Sequence, residues 1–307
     1  MKMIDTFMER FSQKAPIYFK SVDANRNAHP ELFDQVGERL LTIANIHLGP
    51  NVYDVLIDGY CFFVDEVNCA QFEYEKTGHY ENHSYADVYA KTYNNPAFMN
   101  DYHWGVFSTV FGWEHHLLIC NFFLSAFIPL IENKNTSDFK GLDLGCGSGL
   151  WHLLALESLS SINFDAVDIS QTSIEICNKS KAALGVQGRV EYHCADAITF
   201  NNPPALYDLG ISCFVLEHLE KPEKLLLSLA KNLKEGAYAF VTCALTAAEI
   251  DHIYEFKHEY EAAKMASDAG LRVCQLISLA PEKISTKAKF LPRSLAMILQ
   301  KRRNDIW

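Results

Sequence analysis

After about residue 139, short apolar runs alternate with stretches of helical periodicity, and this order restricts the fold more than any other feature of the chain. The runs cover residues 141–144, 164–168, 190–193, 209–213 and 238–243; helical stretches at 150–159, 173–184 and 223–233 lie between them. Connections of that length are too long for hairpins. They predict an α/β fold in which parallel strands form a doubly wound sheet with helices on both faces. Residues 272–279 and 294–300 add two final strands.

The front of the chain follows a different pattern. Up to Ile131 apolar residues recur at helical spacing, as in Ile4, Phe7, Met8 and Phe11, and again in Val36, Leu40, Leu41 and Ile43. Breaks are expected at Ala28-His29-Pro30, Gly49-Pro50, Thr77-Gly78 and Asn94-Asn95-Pro96, where Gly, Pro and Asn cluster. The polar stretch 132–138 is the expected linker, dividing a helical capping domain (1–135) from the α/β domain (136–307). The most apolar stretch, 117–131, is interrupted by Asn121 and Pro129 and is shorter than the ~20 residues of a membrane span. It reads as a buried helix, so no membrane partner is expected.

The first predicted strand closes on Asp143-Leu-Gly-Cys-Gly-Ser-Gly149, which opens a helix. In an open parallel sheet, ligands sit outside the carboxyl ends of the strands, and glycines let backbone N–H groups approach them. A dinucleotide fingerprint needs its third glycine three residues after the second. Here position 150 is Leu and Gly149 comes one residue early, while Asp143 would repel a pyrophosphate. S-adenosylmethionine has no phosphate and carries an ammonium and a sulfonium, which an acid at the strand end attracts. Asp168, 19 residues past Gly149, is placed to accept both ribose hydroxyls, and Asp196, just past the third strand, to accept the adenine amino group. The expected cofactor contacts are Asp143, Gly145, Cys146, Gly147, Gly149, Asp168, Ile169, Asp196, Ala197, Cys213 and Phe214.

These residues resemble the class I S-adenosylmethionine-dependent methyltransferases. Residues 142–149 look like the family's first motif, Val167-Asp168 like its ribose-binding acid, Ala195-Asp196-Ala197 like its adenine segment, and residues 207–220 like its fourth motif. The resemblance covers about residues 139–241. It implies a seven-stranded, mostly parallel Rossmann-like sheet with an antiparallel last strand, and S-adenosyl-L-methionine lying across its carboxyl edge. His218 matches a position that lies beside the substrate in several related small-molecule methyltransferases and caps the next helix in others.

Between Phe72 and Trp113, twelve of 42 residues are aromatic, against 12% for the whole chain. Trp104, Phe107 and Phe111, continued by His115, Leu118 and Phe122, fall on one helical face or on two collinear ones split at Gly112. That stripe serves either as core or as a cap over a sulfonium, which aromatic faces attract by ~0.5–2 kcal/mol each. Trp104, Phe107, Trp113 and His116 are the expected substrate contacts. Tyr102, His103, His115 and His218 are the acid-base candidates, since histidine titrates near neutral pH. His103, Glu114, His115 and His116 lack the four-residue spacing of a helical ligand pair, so no metal site is expected. Tyr85 and Tyr89, with His79 and His83, are candidates for part of a lid.

The net charge of −11, with Lys301 to Arg303 as the one dense basic cluster, argues against a nucleic acid partner. Nine dispersed cysteines without a CxxC pair, and no secretory signal, fit reduced thiols in a cytoplasmic protein. A homodimer is left open. The expected function is methyl transfer to a small molecule in an aromatic-lined pocket. An alternative is cyclisation of S-adenosylmethionine itself to azetidine-2-carboxylate with release of methylthioadenosine; a further one is a non-catalytic cofactor-binding module.

Overall fold

A computed structural model describes residues 2–132, 139–184, 186, 188–200, 203–281 and 288–303. Helices fill the front half: α1 (Met3–Lys14), α2 (Pro16–Ala28), α3 (Pro30–Leu48), α4 (Val52–Thr77), α5 (Tyr85–Lys91), α6 (Pro96–Gly112), α7 (Glu114–Phe122) and α8 (Ile128–Glu132). Their ends follow local chemistry. Pro16, Pro30 and Pro96 sit at first helical positions, where the missing N–H costs nothing, and Gly78 closes α4 in the left-handed conformation at φ +79°. Residues 133–138 of the expected linker lie outside the described residues.

The apolar stretch after Trp113 runs on from Glu114 to Glu132 without the expected interruption. A π-helical turn at Phe123–Phe127 precedes Pro129, which has no N–H to offer the carbonyl four residues back. By length and hydropathy this run is apolar enough to cross a membrane. In this fold its Phe123 and Phe127 are buried, 5.1 and 5.4 Å from the ring of Phe240 in the sheet.

The second half forms β1 (Phe139–Leu144), α9 (Leu150–Ser158), β2 (Ile162–Asp168), α10 (Gln171–Leu184), β3 (Val190–Cys194), β4 (Tyr207–Cys213), α11 (Pro222–Asn232), β5 (Leu233–Leu245), α12 (Glu259–Asp268), β6 (Leu271–Leu279) and β7 (Arg293–Lys301). The seven strands make one sheet in the order β3-β2-β1-β4-β5-β7-β6. The first five pair in parallel; β7 is antiparallel to both β5 and β6. The order reverses between β1 and β4, which opens a crevice at the carboxyl ends of those strands.

The alternation of side chains along the strands separates two cores. Leu142 and Leu144 face a cluster with Leu225, Leu229 and Ala262 of α11 and α12. On the opposite face, Phe164 and Phe240 join Leu153 of α9 and Ile174 of α10 in a cluster that continues without interruption into Phe7, Phe33 and Phe111 of the front half. The helical half and one sheet face therefore share a single core.

Candidate functional site

One cavity of about 1150 Å³ extends from the carboxyl ends of β1, β2 and β4 into the helical half. Its floor is the turn between β1 and α9. Gly145, Gly147 and Gly149 all adopt positive φ, and Gly145 and Cys146 donate their N–H groups to the carbonyl of Val167 at 2.8 and 2.9 Å. A methyl group on Gly145 would lie 2.5 Å from a methyl of Val215, so only glycine fits there. A methyl group on Gly147 would meet nothing within 4 Å. That open approach on the cavity floor is where a ligand can come up against backbone.

Asp168 ends β2 beside this turn. Its Oδ2 accepts the N–H of Gly147 at 2.8 Å and its Oδ1 the N–H of Ser170 at 2.9 Å. Burial pushes its carboxyl up from the ordinary range, against the pull of those two donors. Each oxygen keeps acceptor capacity towards the cavity, as two ribose hydroxyls require. Asp196 follows β3. Its Oδ1 accepts the N–H of Ile198 at 2.8 Å, and it lines the same cavity with Ala197. Ile169, Cys213 and Phe214 also line it. Phe214 is held at φ +54°, its N–H donated to the Thr242 hydroxyl at 2.9 Å. These residues suit a neutral adenosine with a positively charged tail, and the open face of Gly147 gives it room.

Asp143 does not join them. Strand alternation turns its side chain towards α9, where it is 1% exposed and its Oδ2 lies 2.8 Å from Nδ1 of His152; Nε2 of His152 lies 3.0 Å from the Tyr192 hydroxyl. The expected attraction of the ligand by Asp143 is corrected to a buried brace beneath the loop. Gly149 caps α9, giving its N–H to the Cys146 carbonyl at 2.8 Å, and lies outside the cavity lining.

On the helical side, Tyr102, His103, Phe107, Trp113, His115 and His116 all line the cavity. Trp104 does not; it packs 5.2 Å from His47 and 5.6 Å from Phe107, because one residue of helix rotates it away from His103. Phe111 also belongs to the core, 4.7 Å from Phe7. The stripe is divided where α6 ends at Gly112 and Trp113 leads into α7, which is the second of the two expected arrangements. His116 stacks on Phe214 at 4.9 Å and its Nδ1 meets the Thr109 hydroxyl at 2.7 Å. That hydroxyl gives its own proton to the Val106 carbonyl, so Nδ1 of His116 is the donor and Nε2 carries the lone pair. Burial lowers the pKa of His116 well below the ordinary value and brings His103 to about 3 and His115 to about 4. All three rings are neutral at pH 7.

His218, in the short 3₁₀ turn after β4, also lines the cavity. Its Nδ1 donates to the Asp251 carbonyl at 3.2 Å, leaving Nε2 available. Of the lid candidates, Tyr85 lines the cavity, its N–H tied to Glu220 at 2.9 Å; Tyr89, His79 and His83 do not.

Sequence reasoning missed Glu249, Asp251 and His252, which arrive beside Glu217 and His218 from the irregular segment after β5. It also missed Tyr93, whose hydroxyl donates to Asp251 at 2.9 Å, and Asn25 and Gln71, which reach the cavity from α2 and α4. No local spacing announces them, because tertiary packing alone brings them together.

Residues 142–236 match a family model described as a methyltransferase domain. The chain is 29% identical over 96 residues to ajmaline N-methyltransferase of Rauvolfia serpentina, spanning 31% of this chain and 33% of that one. It is 30% identical over 116 residues to the ubiquinone biosynthesis O-methyltransferase of Idiomarina loihiensis, spanning 37% and 46%. It therefore spans less than half the length of these curated relatives. Geranyl diphosphate C-methyltransferase from Streptomyces coelicolor A3(2) aligns with a TM-score of 0.47 at 11% identity, over 61% of this chain and 84% of that one. The match across β1 to the start of β5, on the sheet order above, marks residues 142–236 as a methyltransferase domain.

Proposed function

We propose that this protein transfers a methyl group from S-adenosylmethionine to a small molecule enclosed between the sheet and the helical half. The observation that carries this reading is the continuity of one cavity from Gly147, Asp168 and Asp196 to Phe107, Trp113 and His116. Residues 1–135 act as the capping half and 136–307 as the cofactor half.

When bound, S-adenosylmethionine supplies an electrophilic methyl group on a sulfonium, already activated for displacement. The protein's task is then chiefly positioning and exclusion of water, worth about 7–11 kcal/mol when the reacting atoms are held in line. Asp168 and Asp196 hold the nucleoside end, and the Gly145 to Gly147 backbone bounds the floor. Trp113, Phe107 and Phe214 keep water from the reacting end. His218 takes the acceptor's proton on Nε2, its Nδ1 proton being fixed on the Asp251 carbonyl. The neutral ring of His116 orients the acceptor through Nε2.

Calorimetry with S-adenosylhomocysteine tests cofactor binding, and absence of binding overturns the proposal. Incubation with S-adenosylmethionine alone, followed by mass spectrometry, separates it from cyclisation. Methylthioadenosine as the product assigns cyclisation; S-adenosylhomocysteine formed only when an acceptor is supplied assigns methyl transfer.

A further inference from the structure

On one side of the cavity Glu217, Glu249 and Asp251 gather with His218 and His252. Glu217 is completely buried; its Oε1 accepts the Ala244 N–H at 3.0 Å and its Oε2 has no partner. Asp251 is also completely buried, with Oδ2 accepting the Tyr93 hydroxyl and lying 3.4 Å from Nδ1 of His218, and with Oδ1 unpartnered. Glu249 lies 3.4 Å from Nε2 of His252 and lines the cavity with Glu217. Three carboxylates thus surround two histidine rings. A buried acceptor left unpaired costs about 1–3 kcal/mol, more when charged, so Glu217 is held ready for a donor that arrives with a ligand.

The surroundings select the kind of donor. Donor atoms of Glu217, His218 and His252 lie within 4.8 Å of one another, which would suit a metal ion by residue type. His252, however, is committed on both nitrogens: Nδ1 donates to the Ala247 carbonyl at 2.7 Å and Nε2 faces Glu249. The neighbouring walls are aromatic. Tyr93 stands 6.4 Å from the His218 ring, and Tyr102 packs 5.5 Å from Phe63. Rings of this kind attract an organic cation through their faces and give nothing to a hard, hydrated ion.

We propose that the acceptor is an organic amine, bound as its ammonium between Glu217 and Glu249 against the rings of Tyr93 and Tyr102; one N–H proton passes to Nε2 of His218, and the freed lone pair forms the N–C bond as the S–C bond breaks and S-adenosylhomocysteine leaves. An alkylammonium offers three N–H donors, enough to satisfy Glu217 Oε2 and Glu249 together. The inference rests on the methyl-transfer reading above and names its substrate class.

The test uses the full chain saturated with S-adenosylhomocysteine at pH 7.5. Phenylalkylamines with two to four methylenes, each paired with its matched alcohol, are titrated calorimetrically. The best amine is expected to bind at least tenfold more tightly than its alcohol. In Glu217→Gln that ratio falls at least fivefold, and Glu249→Gln, which is less buried and provides the check should the first variant not fold, lowers it as well. Equal affinity for amine and alcohol across the series, or a ratio unchanged in either folded variant, overturns the proposal. So does micromolar binding of Mg²⁺, Mn²⁺ or Zn²⁺ that Glu217→Gln abolishes. Should S-adenosylhomocysteine fail to bind while apo protein keeps the Glu217-dependent amine preference, the methyl-transfer reading falls and the amine site stands.

Discussion

The two ends of the cavity differ in how their polar atoms are paired, although the Tyr85 hydroxyl near Asp168 and Asp196 is also buried without a partner. At the cofactor end, each oxygen of Asp168 already accepts a backbone N–H, and Asp196 is tied to its own turn. Across the cavity, Asn25 Oδ1, Gln71 Nε2, His103 Nε2, His115 Nδ1 and Glu217 Oε2 are buried without partners. On the function proposed above, the first end is preorganised for the cofactor. On the same proposal, the unpaired groups at the second end are completed by the acceptor, and a buried polar site of that kind rejects close analogues.

This contrast can be broken by substitution. Asp168→Ala removes charged hydrogen bonds at the preorganised end and is expected to weaken S-adenosylhomocysteine binding by about 3 kcal/mol, on the order of 100-fold, in calorimetry. Undiminished binding would contradict the role given to Asp168. At the other end, His218→Ala is expected to cut turnover by about 100-fold in a steady-state assay. A loss confined to KM would make His218 a binding group only.

The glycines sharpen the comparison within one loop. Gly145→Ala puts a methyl 2.5 Å from Val215 and is expected to cost about 2 kcal/mol of stability, read as a lower thermal midpoint. Gly147→Ala meets no protein atom, so its stability loss is limited to roughly 1 kcal/mol for the positive φ, while S-adenosylhomocysteine affinity falls about tenfold. Equal effects of the two on both measurements would refute the assignment of Gly147 to the ligand face.

The smallest effects appear in pH. His252, desolvated by burial but held by Glu249, Glu217 and Asp251, has its pKa raised to about 9. Its stabilisation is fully present below pH 6.5 and is lost as the pH rises towards 9. His103 and His115 are shifted the other way by burial, so their share is present above pH 6.5 and is lost as the pH falls towards 4. Thermal midpoints measured from pH 4 to 9 should fall at both ends. His252→Gln should flatten only the alkaline limb and His103→Gln only the acid one.

What could be read from the sequence is what depends on neighbours along the chain. The strands, the helix breaks at proline and glycine, and the loop with Asp168 and Asp196 at successive strand ends are all local patterns. Asp143 misled because charge type and position look the same whichever face of the strand carries the side chain; the His152 that turns it inward lies nine residues away in the next helix. Trp104 misled for a related reason: helical spacing marks an apolar stripe without saying which neighbour it meets. Glu249, Asp251 and His252 were invisible because their meaning comes from Glu217 and His218, more than thirty residues earlier.

The single core running from Phe7 through Phe123 to Phe240 limits how such a protein can be altered. Severing the chain near residue 135 would strip one side of the sheet and leave Phe240 and Trp151 facing water, so residues 139–303 expressed alone are expected to aggregate, as light scattering would show. Grafting a foreign front half would require a matching set of rings at that seam. New acceptors are therefore better sought by exchanging side chains around an intact chamber than by trading one module for another.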